Sequence, residues 1–205
     1  MIVTRIESVA GKKTKFRICF DGQPALVLYK GELSRYHIEE EKQMDEETYR
    51  TLSELVRKRA RIRAMKLLEI ADRSEKSLME KLLDGGYSRE AAEDAVSYVK
   101  SFGYLDDDRL AGYLVASRKA TKSKAELKAY LLGKGLSRNQ AEEALARNYK
   151  SEDAQEAIRR HMTKKHFDPE TATPQEKQRI YAFLARKGFA YEDIRQVIQV
   201  SDWNA

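Results

Sequence analysis

An internal repeat limits what this chain can fold into more than any other feature of its sequence. Leu78-x3-Leu82-x3-Gly86-Tyr87 recurs as Leu127-x3-Leu131-x3-Gly135-Leu136, and again as Ile180-x3-Leu184-x3-Gly188-Phe189. Five residues further on, each copy continues with Ala92, Ala141 or Ile194, then with Ala95-Val96, Ala144-Leu145 or Val197-Ile198. Apolar residues four apart mark one face of a helix, and a glycine one turn later supplies the left-handed residue that closes it. The next apolar residue pins the turn. Ser88 and Ser137 are placed to cap a following helix, Gln140 completes a capping box after Ser137, and Ala190 is a weaker start for the third copy. The repeat glycines lie 49 and 53 residues apart, leaving room for one more helix per copy at ordinary helix and loop lengths. Those helices are expected at 64–72, 107–118 and 152–163.

The fold class is therefore mainly α. Tandem three-helix repeats are expected at 61–109, 110–150 and 151–205, stacked in an elongated array because each unit packs mostly on its neighbours. Residues 1–60 form an N-terminal extension. Within it, residues 2–9, 15–20 and 25–30 read as short strands, with Phe16, Ile18 and Phe20 alternating and Asp21-Gly22 supplying a turn. From Asp45 the period lengthens: Asp45 can cap a helix, Met44 and Tyr49 stand at hydrophobic-staple spacing, and Leu52, Leu55 and Val56 follow. Pro169 and Pro174 bracket a late loop.

Charge is distributed as unevenly as the apolar residues are regular. The net charge is +6 and 35% of residues are charged, which favours several small cores over one large one. Arg57 to Lys66 holds six cations and no acid, and Arg118 to Arg138 holds seven cations against Glu126 alone, whereas Glu39 to Glu47 is net negative by five. The basic blocks read either as surfaces that neutralise phosphates or as solvated helix faces. The candidate binding cations are Arg57, Lys58, Arg61, Arg63, Arg118, Lys119, Lys122, Lys124, Lys128, Arg186 and Lys187.

Nothing in the sequence suggests catalysis. There is no phosphate-binding glycine loop, no nucleophile elbow and no His-Glu-x-x-His. The cluster Asp106-Asp107-Asp108 lacks the alternation of a calcium loop and is read as helix capping. Cys19 is a lone structural thiol, and neither it nor His37, His161 and His166 make a metal-site spacing, so no metal or cofactor is expected. His161 and His166, beside Lys164 and Lys165, read as surface residues. Most tyrosines, Tyr87 and Tyr104 among them, read as core, Tyr104 and Leu105 as a lock between successive units, and Trp203 as a packing anchor for the tail. The N-terminus alternates apolar and polar residues instead of forming a signal peptide, and no apolar run approaches a membrane span. A cytoplasmic monomer is the expectation.

The junction GYLDDDRLAGYLVASR (Gly103 to Arg118), the phrase LLGKGLS (Leu131 to Ser137) and FLARKGFAYEDI (Phe183 to Ile194) resemble the regulatory protein RecX family. The resemblance runs in order from about residue 64 to 200, and the strand-containing front is similar to the extension of longer members. It implies a small three-helix-repeat modulator, chiefly an inhibitor, of the RecA recombinase, binding RecA and its filament on single-stranded DNA without enzymatic activity. A stand-alone basic module that binds nucleic acid without RecA is the alternative reading. Two places depart from the family's usual residues: Ser123 and Glu126 stand where Gly and Arg are usual, and Arg186-Lys187-Gly188-Phe189 where Arg-Arg-Gly-Phe is. The resemblance implies that Glu126→Arg restores a cation and strengthens the partner contact.

Overall fold

In the computed structural model, residues 1–9, 11 and 13–198 are described, Pro24 and Ala25 by backbone alone; Trp203 lies outside them. The chain divides into two compact units, Met1–Asp106 and Asp107–Ala205.

The first unit begins with an antiparallel sheet in the order β1-β2-β3, formed by Val3–Ser8, Lys15–Phe20 and Gln23–Tyr29. Alternation sets its register: Ile18 pairs with Leu26 and Phe16 with Leu28, and Ile18, Leu26 and Leu28 face the core. The chain then turns directly into a short helix, α1 (Lys30–Arg35), where a strand is expected to reach residue 30. Glu32 makes this helix possible by reaching back to accept a hydrogen bond from the Tyr29 N–H at 2.8 Å, and the Arg59 guanidinium clamps the same carboxylate with two further bonds.

Helix α2 (Glu46–Ile70) is capped by Asp45, which accepts from the Thr48 N–H at 2.8 Å, and Met44 and Tyr49 pack into the core on either side of the cap. At 1.5 Å per residue it spans roughly 37 Å. One stripe of Leu52, Val56, Ala60, Ala64 and Leu67 is buried along its length, first against β3 and then against α4. The expected start of a helix at residue 64, and the expected end of the extension at residue 60, both fall inside this continuous element. No glycine or proline interrupts residues 46–63, so the helix expected to begin at the Asp45 cap runs unbroken into the one expected from residue 64. Helices α3 (Glu75–Asp84) and α4 (Arg89–Ser101), capped by Ser74 and Ser88, complete the group.

In the second unit, α5 (Asp107–Ala116), α6 (Lys124–Gly133) and α7 (Arg138–Asn148) form one three-helix group, and α8 (Ser151–Lys164), α9 (Pro174–Arg186) and α10 (Tyr191–Ile198) another. In every group the first and third helices pack together, α2 on α4, α5 on α7 and α8 on α10. The repeated turn has one geometry. Gly86, Gly135 and Gly188 have φ of +93°, +88° and +81°. Tyr87, Leu136 and Phe189 then donate their N–H to the carbonyls of Leu82, Leu131 and Leu184, so the orphan carbonyls at the helix ends are satisfied. Each paired residue is also buried, which adds the apolar contact that steadies the turn. Burying leucines such as Leu82, Leu131 and Leu184 contributes on the order of 2 kcal/mol each.

Two aromatic expectations are corrected. Tyr104 is 59% exposed and stacks on exposed Phe102, while its neighbour Leu105 enters the first unit's core. His161 is half-buried, not a surface residue: its ring meets Phe183 and Phe189 edge-on at 5.7 and 5.8 Å, and its Nε2 is buried without a hydrogen-bond partner. Its position on the inner side of α8, one residue before buried Met162, outweighs the polarity that suggested exposure.

Candidate functional site

The eleven cations singled out by charge blocks do not form one surface. Five are answered by carboxylates of their own unit. Arg57 reaches Glu90, and Arg61 makes a two-pronged pair with Asp94 at 2.7 and 2.8 Å while its guanidinium lies 4.7 Å from the Tyr98 ring centre. Both pairs join α2 to α4. Helical spacing explains the arrangement: residues 57 and 61 are one turn apart on α2, as 90 and 94 are on α4, so two neighbouring rungs form. The Arg61 hydrogen bond is the main reason that Asp94 is held below the usual carboxylate pKa.

Three more pairs knit the second unit. Lys119 meets Asp153 at 2.9 Å, Lys128 meets Glu142 at 2.6 Å, and Lys187 meets Glu126 at 3.0 Å. The last belongs to a tight knot. Ser123, fully buried, caps α6 by accepting from the Glu126 N–H and donates its hydroxyl proton to the Lys187 carbonyl at 2.5 Å. Glu126 closes the capping box on the Ser123 N–H and binds the Lys187 ammonium. Burial opposes ionisation of Glu126, but the Lys187 hydrogen bond and the charge of Lys122 more than offset it and keep its pKa low. Gly188 follows at once, and a Cβ there would lie 2.6 Å from the Ala125 Cβ. The two departures at 123 and 126 are therefore one device that joins the start of α6 to the end of α9.

The remaining six have no carboxylate partner among the described residues. Lys58 and Arg63 project from α2, Arg118 lies 4.6 Å from the Tyr130 ring centre, Lys122 and Lys124 flank Ser123, and Arg186 ends α9. Lys122 is half-exposed and the other five are exposed.

Charge blocks miss a second group of cations. Lys164, Lys165 and Arg179 line a cleft of about 490 Å3 in the third helical group together with Phe167, Ile180 and Phe183. In the sequence Lys164 and Lys165 are visible only as a pair beside two histidines, and Arg179 stands too far along the chain to join any charge block. A larger cleft of about 740 Å3 lies between α6, α7 and α10, with Lys124 and Lys128 on one wall and Phe189 and Asp193 on another. Among the described residues no group of three or more His, Cys, Asp or Glu could hold a metal, and no helix is long and apolar enough to cross a membrane. Cys19 is buried in β2, and burial raises its thiol pKa, away from nucleophilic behaviour.

Capped three-helix groups with a repeated glycine turn define a helical-repeat protein. Residues 60–98 match the family model of the first three-helix domain of RecX, and residues 151–198 that of the third. Regulatory protein RecX of Shigella dysenteriae serotype 1 is 32% identical over 146 residues, spanning 66% of this chain and 87% of that protein. Its counterpart in Caldanaerobacter subterraneus subsp. tengcongensis is 28% identical over 203 residues, covering 98% and 100% of the two chains. The chain belongs to the RecX family. Its fold agrees with a crystal structure of regulatory protein RecX at a TM-score of 0.61 and 18% identity, over 98% of this chain and 99% of that one. A RecX structure from Lactobacillus salivarius agrees at 0.60 and 21%, over 70% and 95%.

Proposed function

We propose that this protein binds RecA and its filament on single-stranded DNA in the cytoplasm and lowers recombinase activity without chemistry of its own. The observation that carries the reading is the match to a regulatory protein RecX along nearly the whole of both chains, front extension included. The cations that no internal carboxylate answers, Lys58, Arg63, Arg118, Lys122, Lys124 and Arg186, supply the means. They are spread over all three helical groups, so each contact is weak and the sum is large only on a lattice that presents acceptors repeatedly. A filament does this and a free subunit does not.

The test is the ATPase rate of RecA on single-stranded DNA as the protein is titrated in. A rate that falls with added protein supports the reading, and an unchanged rate at saturating protein overturns it. Retention of the protein by immobilised RecA without DNA separates a RecA partner from a nucleic-acid module acting alone.

A further inference from the structure

The cleft at the end of α8 differs chemically from every other cationic feature of the molecule. Elsewhere many cations are paired within the fold, and the larger cleft sets Lys124, Lys128 and Lys150 beside the carboxylates of Glu142 and Asp193. Here Lys164, Lys165 and Arg179 converge on one concavity, and no ion pair answers any of the three among the described residues. One carboxylate lines it, Glu176, and it is already committed: its Oε2 accepts from both the Thr173 N–H and the Thr173 hydroxyl at 2.8 Å, closing the cap of α9. Three positive charges against one carboxylate leave the cleft with a net positive charge, which an entering anion reduces.

The opposite wall specifies more than an anion. Phe167 and Phe183 are half-buried, with part of each ring open, and Ile180 closes the floor. The Lys165 ammonium itself lies over the Phe183 ring, 4.3 Å from its centre, so that face is already in contact with a cation and Phe167 is left as the aromatic side chain to meet a flat ligand. The cleft thus joins an aromatic wall to a trio of cations within about 490 Å3, a volume in the range that takes a small molecule. An inorganic anion would leave the aromatic wall unused. A carboxylate side chain brings one charge for three cations, and an aliphatic tail offers no flat face to the rings.

We propose that this cleft in the third helical group is a nucleotide site, in which Lys164, Lys165 and Arg179 hold a phosphate and Phe167 receives the attached base beside the Lys165–Phe183 pair. The ligand is either a free nucleotide or one unit of a single strand; the recognising chemistry is the same. The site stands apart from the eleven cations above and does not depend on RecA binding, so it is tested on the full-length protein alone.

Two charge-reversal pairs decide the matter: Lys165→Glu with Arg179→Glu at the cleft, and Lys134→Glu with Arg138→Glu as an exposed pair elsewhere in the same unit that alters net charge equally. Both retain the wild-type circular dichroism, because exposed substitutions change stability by about 0.5 kcal/mol each. Binding of a labelled ten-nucleotide oligo(dT) is followed by anisotropy at several salt concentrations. The cleft pair is expected to weaken binding at least tenfold and to reduce the log-log salt slope by about 0.7 for each phosphate that is no longer neutralised. The control pair is expected to weaken it less than threefold. In parallel, amide shifts at Phe167 and Phe183 are recorded with thymidine monophosphate, with the oligonucleotide and with a pentaglutamate peptide. Shifts with the monophosphate identify a self-sufficient nucleotide site, and shifts with the oligonucleotide alone identify a strand subsite; either supports the proposal. Equal weakening by both mutant pairs, shifts produced by the peptide as strongly as by the nucleotides, or no shift with either nucleotide probe overturns it.

Discussion

Gly188 has two independent reasons to be glycine. Its φ is +81°, where an L side chain costs about 1–2 kcal/mol, and a Cβ there would overlap Ala125. Gly103 shares the first reason but not the second, since its φ is +71° and nothing stands within 4 Å of the missing Cβ. Gly188→Ala is therefore expected to lower stability by about 3 kcal/mol and Gly103→Ala by about 1 kcal/mol, measured by urea unfolding. Near-equal losses would show that Ala125 yields freely. His161 gives the residue scale a pH dependence. Burial is the main cause that holds its pKa below the ordinary histidine value, while Glu126 nearby pulls the other way and Lys187 and Lys164 assist the burial. A group with a depressed folded-state pKa leaves stability intact above its unfolded value, about 6.5, and removes it as pH falls from there toward the folded value. The unfolding midpoint of the second unit is expected to drop between pH 7.5 and 5.5, and His161→Phe to flatten that drop by removing the titrating group from between two phenylalanine rings. An equal drop in the variant would assign the effect elsewhere. The repeat glycines were legible in the sequence because a glycine one turn after an i, i+4 apolar pair marks the left-handed close of a helix. The end of α8 was not, since His166 adopts φ +53° in the same role and carries no glycine signal.

At the scale of elements, the caps at Ser88 and Ser137 could be read in advance because an N-cap acts on residues two or three places away, while those at Ser74 and Ser123 were not read. The partner of Glu126 could not, because Lys187 lies 61 positions along the chain. That distance hides a stability cost of one substitution. Glu126→Arg removes the capping box of α6, breaks the Lys187 pair and sets two cations face to face. It is expected to cost about 1–2 kcal/mol in stability, from the cap and the broken pair together. Ser123→Ala removes the cap and leaves the Lys187 carbonyl without the Ser123 hydroxyl, for about 2 kcal/mol. Thermal melts of the two variants check both values, and a Glu126→Arg protein as stable as wild type would remove the knot from the account. Acid should loosen the same junction: with a depressed pKa, Glu126 contributes stability above about pH 4.3 that is lost as pH falls below it.

For the whole molecule, the basic blocks divide into two sets of residues. Arg57, Arg61, Lys119, Lys128 and Lys187 hold helices together, while Lys58, Arg63, Arg118, Lys122, Lys124 and Arg186 face outward. Charge runs cannot separate the two sets, since the separating fact is a carboxylate 14 to 61 residues away. Replacing Arg118, Lys122, Lys124 and Arg186 together by Ala is expected to change stability by less than about 2 kcal/mol and to weaken inhibition of RecA on single-stranded DNA at least fivefold. Replacing Arg61 and Lys119 instead is expected to lower the melting temperature and leave inhibition per folded molecule unchanged. Equal loss of inhibition from both sets would return the basic blocks to a single undivided surface.

The internal rungs also bear on how such a chain drifts over generations. A cation fastened to a carboxylate of its own fold can change only in step with that carboxylate, so Arg61 with Asp94, and Lys187 with Glu126, should be inherited as couples and lost as couples. An outward cation has no such tether and answers only to whatever it meets in the cell. Descendants that adapt to an altered partner can therefore rewrite Lys58, Arg118 or Arg186 one at a time while the scaffold beneath stays as it is.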